Sequence, residues 1–368
     1  MRKATLLRSV SVIATAAASA GGAQQALAQD AGSDGYYYNV QGGLLWSPAE
    51  SYLTNIEDKM GSGSGYSGDT HYQFSGNASG NDFEDLWGGN ASVSLGKQFD
   101  PNWDVRGTAS ITRFGETSAD FWASGWYSGS TPASGSDWAN SFHYDYDQWS
   151  EASYSFGWEA LDLEVGYTPV LSDNFSVRLF AGIRGLHFEE TGEYSSGFEA
   201  TISSYSYSGA RYSGFSAYFS GMGDGTSTTE FFGIGPRIGA QVTKRFEGTN
   251  FGLSASVAGA ALFGTQKTTW DSNFNYYGET SAYYGSAGSS VSVGSGSGYS
   301  GSSYSSSIEV DKTVFDVQGQ IGLDYYLDDA NKLTVGVQGE KLFNVGPYDD
   351  DEVTRSSAGF FVGLTGSF

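Results

Sequence analysis

The sequence predicts an all-β protein: a transmembrane antiparallel up-and-down β-barrel of the outer-membrane type. It should have about ten strands, with short turns at one end and long extracellular loops at the other. Three observations predict this. Segments of about ten residues alternate apolar and polar side chains, the connections between them alternate short and long, and aromatic residues gather at the segment ends. A strand sends successive side chains to opposite faces, so strict alternation produces one greasy face and one polar face.

The segments follow in order. Tyr38, Val40, Leu44 and Trp46 alternate with Asn39 and Gln41, and Ala91, Val93, Leu95 and Phe99 with Ser92, Ser94 and Gln98. Trp103, Val105, Gly107, Ala109 and Ile111 oppose Asp104, Arg106, Thr108, Ser110 and Thr112. Leu161, Leu163, Val165 and Tyr167 oppose Asp162 and Glu164, and Val177, Leu179, Ala181 and Ile183 face away from Arg178 and Arg184. Phe232, Ile234, Ile238, Ala240 and Val242 oppose Arg237, Gln241 and Thr243, and Phe251, Leu253, Ala255 and Val257 oppose Ser254 and Ser256. Phe315, Val317, Ile321, Leu323 and Tyr325 oppose Asp316, Gln318, Gln320 and Asp324, and Leu333, Val335 and Val337 oppose Thr334, Gln338 and Glu340. A last strand runs from Ser357 to Phe368.

Short connections fall at 100–102, 169–174, 247–250 and 328–332, each with turn-forming residues. Long ones fall at 47–88, 115–155, 189–229, 264–312 and 344–355. An even strand number puts both termini on the short-turn, periplasmic side. The long connections include Gly/Ser/Tyr-rich stretches, Gly61 to Gly68 and Gly285 to Ser307, which either flex or extend the hairpins above the membrane. Weak alternation in Gly197 to Tyr207 and Tyr212 to Met222 allows one extra hairpin and a count of twelve.

Aromatic residues at the short turns (Phe99, Trp103, Tyr167, Phe175, Phe246, Phe251, Tyr325, Tyr326 and Phe368) read as an inner interfacial girdle. Trp46, Trp87, Phe114, Trp158, Phe188, Phe263, Phe315 and Phe343 read as the outer one. Lys97, Lys244 and Lys341 lie near strand ends, where they can snorkel to headgroup phosphates.

Residues 1–28 read as an export signal, leaving 29–368 as the barrel domain. Arg2, Lys3 and Arg8 form a basic start, Val10 to Ala20 is apolar, and Ala26-Leu27-Ala28 fits a cleavage site before Gln29. The apolar run is too short to span a bilayer as a helix. Removing the signal takes the 18 basic residues to 15 against 41 acidic ones, a net charge of about −26. That balance argues against nucleic acid as a partner, because phosphates need Lys and Arg. It also argues against docking on anionic lipid through a basic patch. The chain has no Cys, so thiol and disulfide chemistry are excluded.

Several of these segments resemble the Legionella-type major outer membrane protein family of pore-forming barrels. They are Trp103-Asp104-Val105-Arg106 with Thr112-Arg113-Phe114, Leu161 to Gly166, Leu179 to Gly185, Phe232 to Arg237 and Phe251 to Gly264. The resemblance runs from about Ala91 to Phe368 and leaves out the Gly/Ser/Tyr stretches. It implies an outer-membrane location and a pore, and brings no catalytic residues.

With the apolar face toward lipid, the inward set comprises Asp104, Arg106, Asp162, Glu164, Arg178, Arg184, Arg237, Asp316, Asp324 and Glu340. An Arg turned to lipid near the midplane costs about 2–4 kcal/mol, so the interior is the cheaper place. These residues either line a charged pore or form a salt-bridge network that fills the barrel. Small inward residues, Gly96, Gly182, Gly233, Gly235, Gly239 and Ala258, leave room for a narrow channel, although about eight strands already give an interior filled by side chains.

The leading expectation is therefore passive diffusion of small solutes or ions, weakly cation-selective, without enzymatic activity, cofactor or metal. The alternative is a closed structural or adhesive barrel displaying its loops. A third reading makes His143 with Asp145 a hydrolase pair. Of the other histidines, His187 continues a strand and His71 lies in a long connection. The acidic run Asp349-Asp350-Asp351-Glu352 lacks calcium-loop spacing and reads as solvated charge. Expected partners are outer-membrane lipid, lipopolysaccharide, and the barrel-assembly machinery through the C-terminal strand ending at Phe368. A homo-oligomer is compatible with all of these.

Overall fold

The computed structural model describes residues 35–48, 62–67, 70–81, 83–131, 139–172, 174–286, 289–345 and 353–367. The signal segment 1–28, the acidic run at 349–352, Phe368, and Gly61 and Gly68 lie outside them.

Alternation carries the chain into thirteen strands among the described residues: β1 Tyr36–Ser47, β2 Ser62–Ser67, β3 Thr70–Asn81, β4 Leu86–Asp100, β5 Trp103–Phe114, β6 Thr117–Thr131, β7 Ala139–Ser172, β8 Phe175–Ser208, β9 Arg211–Arg245, β10 Phe251–Ser286, β11 Ser289–Tyr326, β12 Lys332–Phe343 and β13 Thr354–Ser367. Ten of them close a ring in the order β1-β4-β5-β7-β8-β9-β10-β11-β12-β13, with β13 back on β1 and β7 on β8. All neighbours are antiparallel. Closure leaves no sheet edge within the bilayer, where an unpaired N–H or C=O finds no water.

The ring's ten strands correspond to the ten alternating segments. The hairpin at 197–222 does not raise the count to twelve. Its two arms are the upper halves of β8 and β9, which pair without a register shift from Phe175↔Lys244 to Ser208↔Arg211 and turn at Gly209, whose φ is 58°. Nothing in the ladder requires a strand to stop at the membrane surface. β7 to β11 are 34, 34, 35, 36 and 38 residues long, whereas about 9–11 residues cross a bilayer. The rest stands outside as a wall. β6 pairs with the upper part of β7 beyond β5, β3 lies on β6, and β2 lies on β3. On the opposite side the barrel is low: β1 and β12 have 12 residues and β13 has 14.

The outward face carries the apolar set. Leu44, Phe232, Ile238 and Phe360 are 64–71% exposed. Side chains of this kind stay exposed only where another apolar medium covers them, and here that medium is the lipid. The inner girdle residues Phe99, Trp103, Tyr167, Phe175, Phe246, Phe251 and Tyr325 are likewise exposed, as are Trp46, Trp87, Phe263 and Phe315 at the outer level. Lys97 lies over the Tyr36 ring and Lys341 over Phe343, 5.2 and 4.9 Å from the centroids.

Three members of the expected outer girdle are elsewhere. Phe114, Trp158 and Phe188 are buried inside the barrel. On their strands they share parity with Arg106, Asp162 and Arg184, so the pleat turns them inward with those charges.

Candidate functional site

All ten charged residues expected inside the barrel point there, and nine of them meet in one network. On β7 and β8, Asp162 sits directly opposite Arg184, and Glu164 opposite Gly182. This register aligns inward carboxylates with inward guanidinium groups. Arg184, almost fully buried, reaches three carboxylates: Asp316 on β11 at 3.1 Å, Glu340 on β12 at 2.9 Å and Asp162 at 3.4 Å. Arg237 from β9 donates to Gln318 at 2.9 Å and lies 3.7 Å from Asp162 and 3.8 Å from Glu164. Gln318 in turn donates to Glu340 at 2.6 Å.

Nearer the periplasm, Arg178 donates in bidentate fashion to Asp104, Nε to Oδ2 at 2.7 Å and Nη2 to Oδ1 at 2.6 Å, and also reaches Glu164 at 2.9 Å. Tyr37 donates to the same Asp104 at 2.9 Å, and Arg106 pairs with Glu164. One buried ring gathers three of the cations. The guanidinium carbons of Arg106, Arg178 and Arg237 lie 5.7, 5.2 and 5.7 Å from the Phe180 centroid, which faces them with its negative quadrupole. Asp324 stands apart at the periplasmic end. It is held by Lys332 at 2.9 Å, Thr334 at 2.6 Å and Ser254 at 3.1 Å.

Within the network five carboxylates meet four arginines, so the acidic excess expected of the lining is largely cancelled. Buried charges are tolerated when paired in this way, and Asp316 faces Arg184 as an ion pair without a hydrogen bond to either of its oxygens.

Directly above lies an apolar layer that the sequence does not set apart, because its aromatics stand at the height of an interfacial girdle while their pleat turns them inward. Leu45, Leu86, Phe114, Phe156, Trp158, Leu186, Phe188, Phe231, Leu262, Val314 and Leu342 pack as one buried cluster, to which every ring strand except β13 contributes. Phe114 stacks on Phe156 at 4.7 Å and meets Trp158 at 5.8 Å. Trp158 donates its indole N–H to Glu340 at 2.9 Å, which joins the layer to the charges below. Above it, Arg355 of β13 grips Glu190 of β8 through two hydrogen bonds of 2.8 and 2.9 Å and lies over Phe156.

The small inward residues do not leave the passage expected of them. A Cβ at Gly96 would collide with the Tyr37 ring, one at Gly239 with Phe180 and one at Gly233 with Phe231, so each of these glycines makes room for a bulky neighbour that fills the lumen; at Gly182 it would meet the backbone of the paired strand, the Leu163 carbonyl first. Open space remains below the apolar layer. One cavity of about 180 Å³ touches Asn39, Arg106, Gln318 and Glu340, and another of about 360 Å³ faces the periplasm beside Tyr37, Arg178 and Lys332.

His143 is paired with Asp145 at 2.9 Å, but both are about half exposed on the outer face of the wall. Among the described residues no group of three or more His, Asp or Glu is placed to hold a metal ion.

The sequence model of the Legionella pneumophila major outer membrane protein precursor matches residues 52–345. The chain belongs to this family. The match takes in the Gly/Ser/Tyr stretches, which the resemblance read from the strands had excluded, and leaves β1 and β13 outside. Together with the closed ring and its apolar belt, membership makes this an outer-membrane β-barrel. No curated protein matches the chain. Among solved structures, the outer membrane protease OmpT of Escherichia coli is similar at 11% identity over 94% of this chain and 99% of that one, with a TM-score of 0.34. An outer membrane channel from Pseudomonas putida F1 is similar at 7% identity, over 94% and 100%, with a TM-score of 0.28. The toluene transporter TbuX of Ralstonia pickettii is similar at 7%, over 91% and 90%, with a TM-score of 0.23. Likenesses this remote say nothing of activity.

Proposed function

We propose that this family member is a closed outer-membrane barrel whose work is structural: it anchors and displays the tall β-wall at the cell surface. The observation that carries the reading is the apolar layer, contributed by nine of the ten ring strands and backed by a paired charge network. A dry, side-chain-filled cross-section gives hydrated ions nowhere to pass, since an unpaired charge in it costs several kcal/mol, about 2–7 for a merely polar group. In this reading the barrel is not an enzyme and its belt contacts lipid and lipopolysaccharide. It reaches the membrane through an export signal at 1–28 and recognition of its C-terminal strand by the assembly machinery.

Passive diffusion is the second reading. The two polar cavities below the layer favour it, and it requires the layer to part. The near-balance of carboxylates and arginines then supports only weak cation preference.

Planar-bilayer recording of the refolded chain under a salt gradient separates the two. A silent bilayer, with folding confirmed by circular dichroism, supports the closed barrel. Steady openings in the unmodified protein overturn it in favour of the pore, and the reversal potential then reports the selectivity.

A further inference from the structure

The wall has an open edge. β11 pairs with β12 only from Phe315 to Tyr326, and Thr313 is capped by a hydrogen bond from Asn344 at 2.9 Å. From Ser289 to Ile308 the strand pairs with β10 on one side and, among the described residues, with no strand on the other. At about 3.3 Å per residue that edge is on the order of 65 Å long. Long exposed edges are normally blunted by Pro, charge or bulges. Here Ser289 to Ile308 contains no Pro and no charged residue, in a chain of net charge −23, and its one irregularity is the extra residue Val293 near the tip. The edge is therefore a neutral strip where two copies of an otherwise acidic protein can approach without repulsion.

We propose that this edge pairs, antiparallel, with the same edge of a second copy carried by an opposing membrane. Direction sets the geometry. Every β11 in one outer membrane runs from the surface toward the periplasm, so neighbours in one membrane offer each other parallel edges. Copies on two facing membranes run in opposite senses and present the antiparallel pairing used by every other pair of strands in the molecule. In a two-fold register centred on Gly298, below the irregularity at Val293, Tyr299 meets Ser297, Gly296 meets Ser300 and Gly294 meets Ser302, so no two bulky side chains collide. This deepens the surface-display reading and depends on it only for the wall standing outward.

The test uses the full refolded mature chain in two populations of lipid vesicles with different fluorophores, scored for vesicle clustering. Wild-type vesicles should cluster. Vesicles carrying Ser295→Lys, Ser297→Lys and Ser303→Lys should disperse, as should the corresponding Glu variant, and mixing Lys with Glu vesicles should restore clustering. Because the chain has no Cys, Gly298→Cys under mild oxidation gives a second readout. Differently tagged populations should yield disulfide dimers bearing both tags. Wild-type vesicles that stay dispersed, Lys variants that cluster undiminished, or dimers formed only within one population each overturn the proposal. Conductance of the same vesicles reports independently on whether the barrel is closed.

Discussion

Trp158 and Glu340 meet across the barrel, from β7 and β12, with the indole N–H donating to the carboxylate at 2.9 Å. This single bond fastens the apolar layer to the charge network beneath it. Trp158→Ala should remove both the bond and the largest side chain of the layer, at a cost of about 3–5 kcal/mol, and should open a measurable conductance. Trp158→Phe keeps the ring but strips Glu340 of its donor, and should cost about 1–3 kcal/mol with the bilayer still silent. Urea midpoints and bilayer recordings of the two variants check this. Equal behaviour in both assays would show that the layer does not seal the lumen.

Arg184 is the sole cation within salt-bridge distance of Asp316 and Glu340 among the described residues. Arg184→Met should cost about 3–5 kcal/mol by leaving buried carboxylates unpaired. Adding Asp316→Asn and Glu340→Gln should recover most of that loss. A double or triple variant no more stable than the single one would mean that the guanidinium acts by packing rather than by charge.

Phe180 serves three guanidinium groups at once. Phe180→Leu keeps apolar volume and removes the quadrupole, so it should lower stability by about 1.5–3 kcal/mol, at roughly 0.5–1 kcal/mol for each of the three partly shielded contacts. Its effect should shrink in the background of Arg237→Gln, and additive losses would argue against the contact.

Gly96 and Tyr37 form a matched pair, the ring occupying the place of a side chain. Gly96→Val should destabilise by about 1–3 kcal/mol through overpacking. In combination with Tyr37→Ala it should be milder than the sum of the two changes, as a double-mutant cycle of unfolding midpoints would read out.

At the periplasmic turn between β11 and β12, Asp328 accepts hydrogen bonds from the Asn331 side chain and from the backbone N–H groups of Ala330 and Asn331. These bonds, that from the Asn331 side chain foremost, hold its carboxyl below the usual carboxylate range. A depressed folded-state pKa contributes stability above the unfolded value and loses it as pH falls through the folded one. Asp328→Ala should therefore unfold earlier than wild type near neutral pH, and the gap should narrow progressively as pH falls below the ordinary Asp value of about 3.9 and through the lower folded-state one. A gap independent of pH would assign the effect to turn shape alone.

The barrel was legible because lipid on one side and charge on the other give every membrane-level segment maximal contrast. Leu161, Leu163 and Val165 against Asp162 and Glu164 leave no choice of face. Carried a few residues up β7, the same parity places Trp158 and Phe156 inside. The parity carries that signal, and height along the strand obscures it, because an aromatic at that level matches a girdle position whichever face it is on. Above the membrane both sides of the sheet meet water, so stretches such as Ser289 to Ser307 show no hydropathic contrast, and strand looks like loop. Only the ladder to β10 reveals them. The lumen glycines were ambiguous for a different reason: sequence gives the absence of a side chain but not the identity of the one reaching over from the next strand.

The uninterrupted length of β8 and β9 has a mechanical consequence. A tug on the turn at Gly209 runs along strands that continue unbroken from the wall into the bilayer. It loads their many hydrogen bonds together, in shear, and does not peel them apart one after another. An appendage hinged on a loop would give way at its joint. Here the handle and the anchor are the same piece of chain, and drag on the cell's exterior is passed to the whole membrane-embedded cylinder.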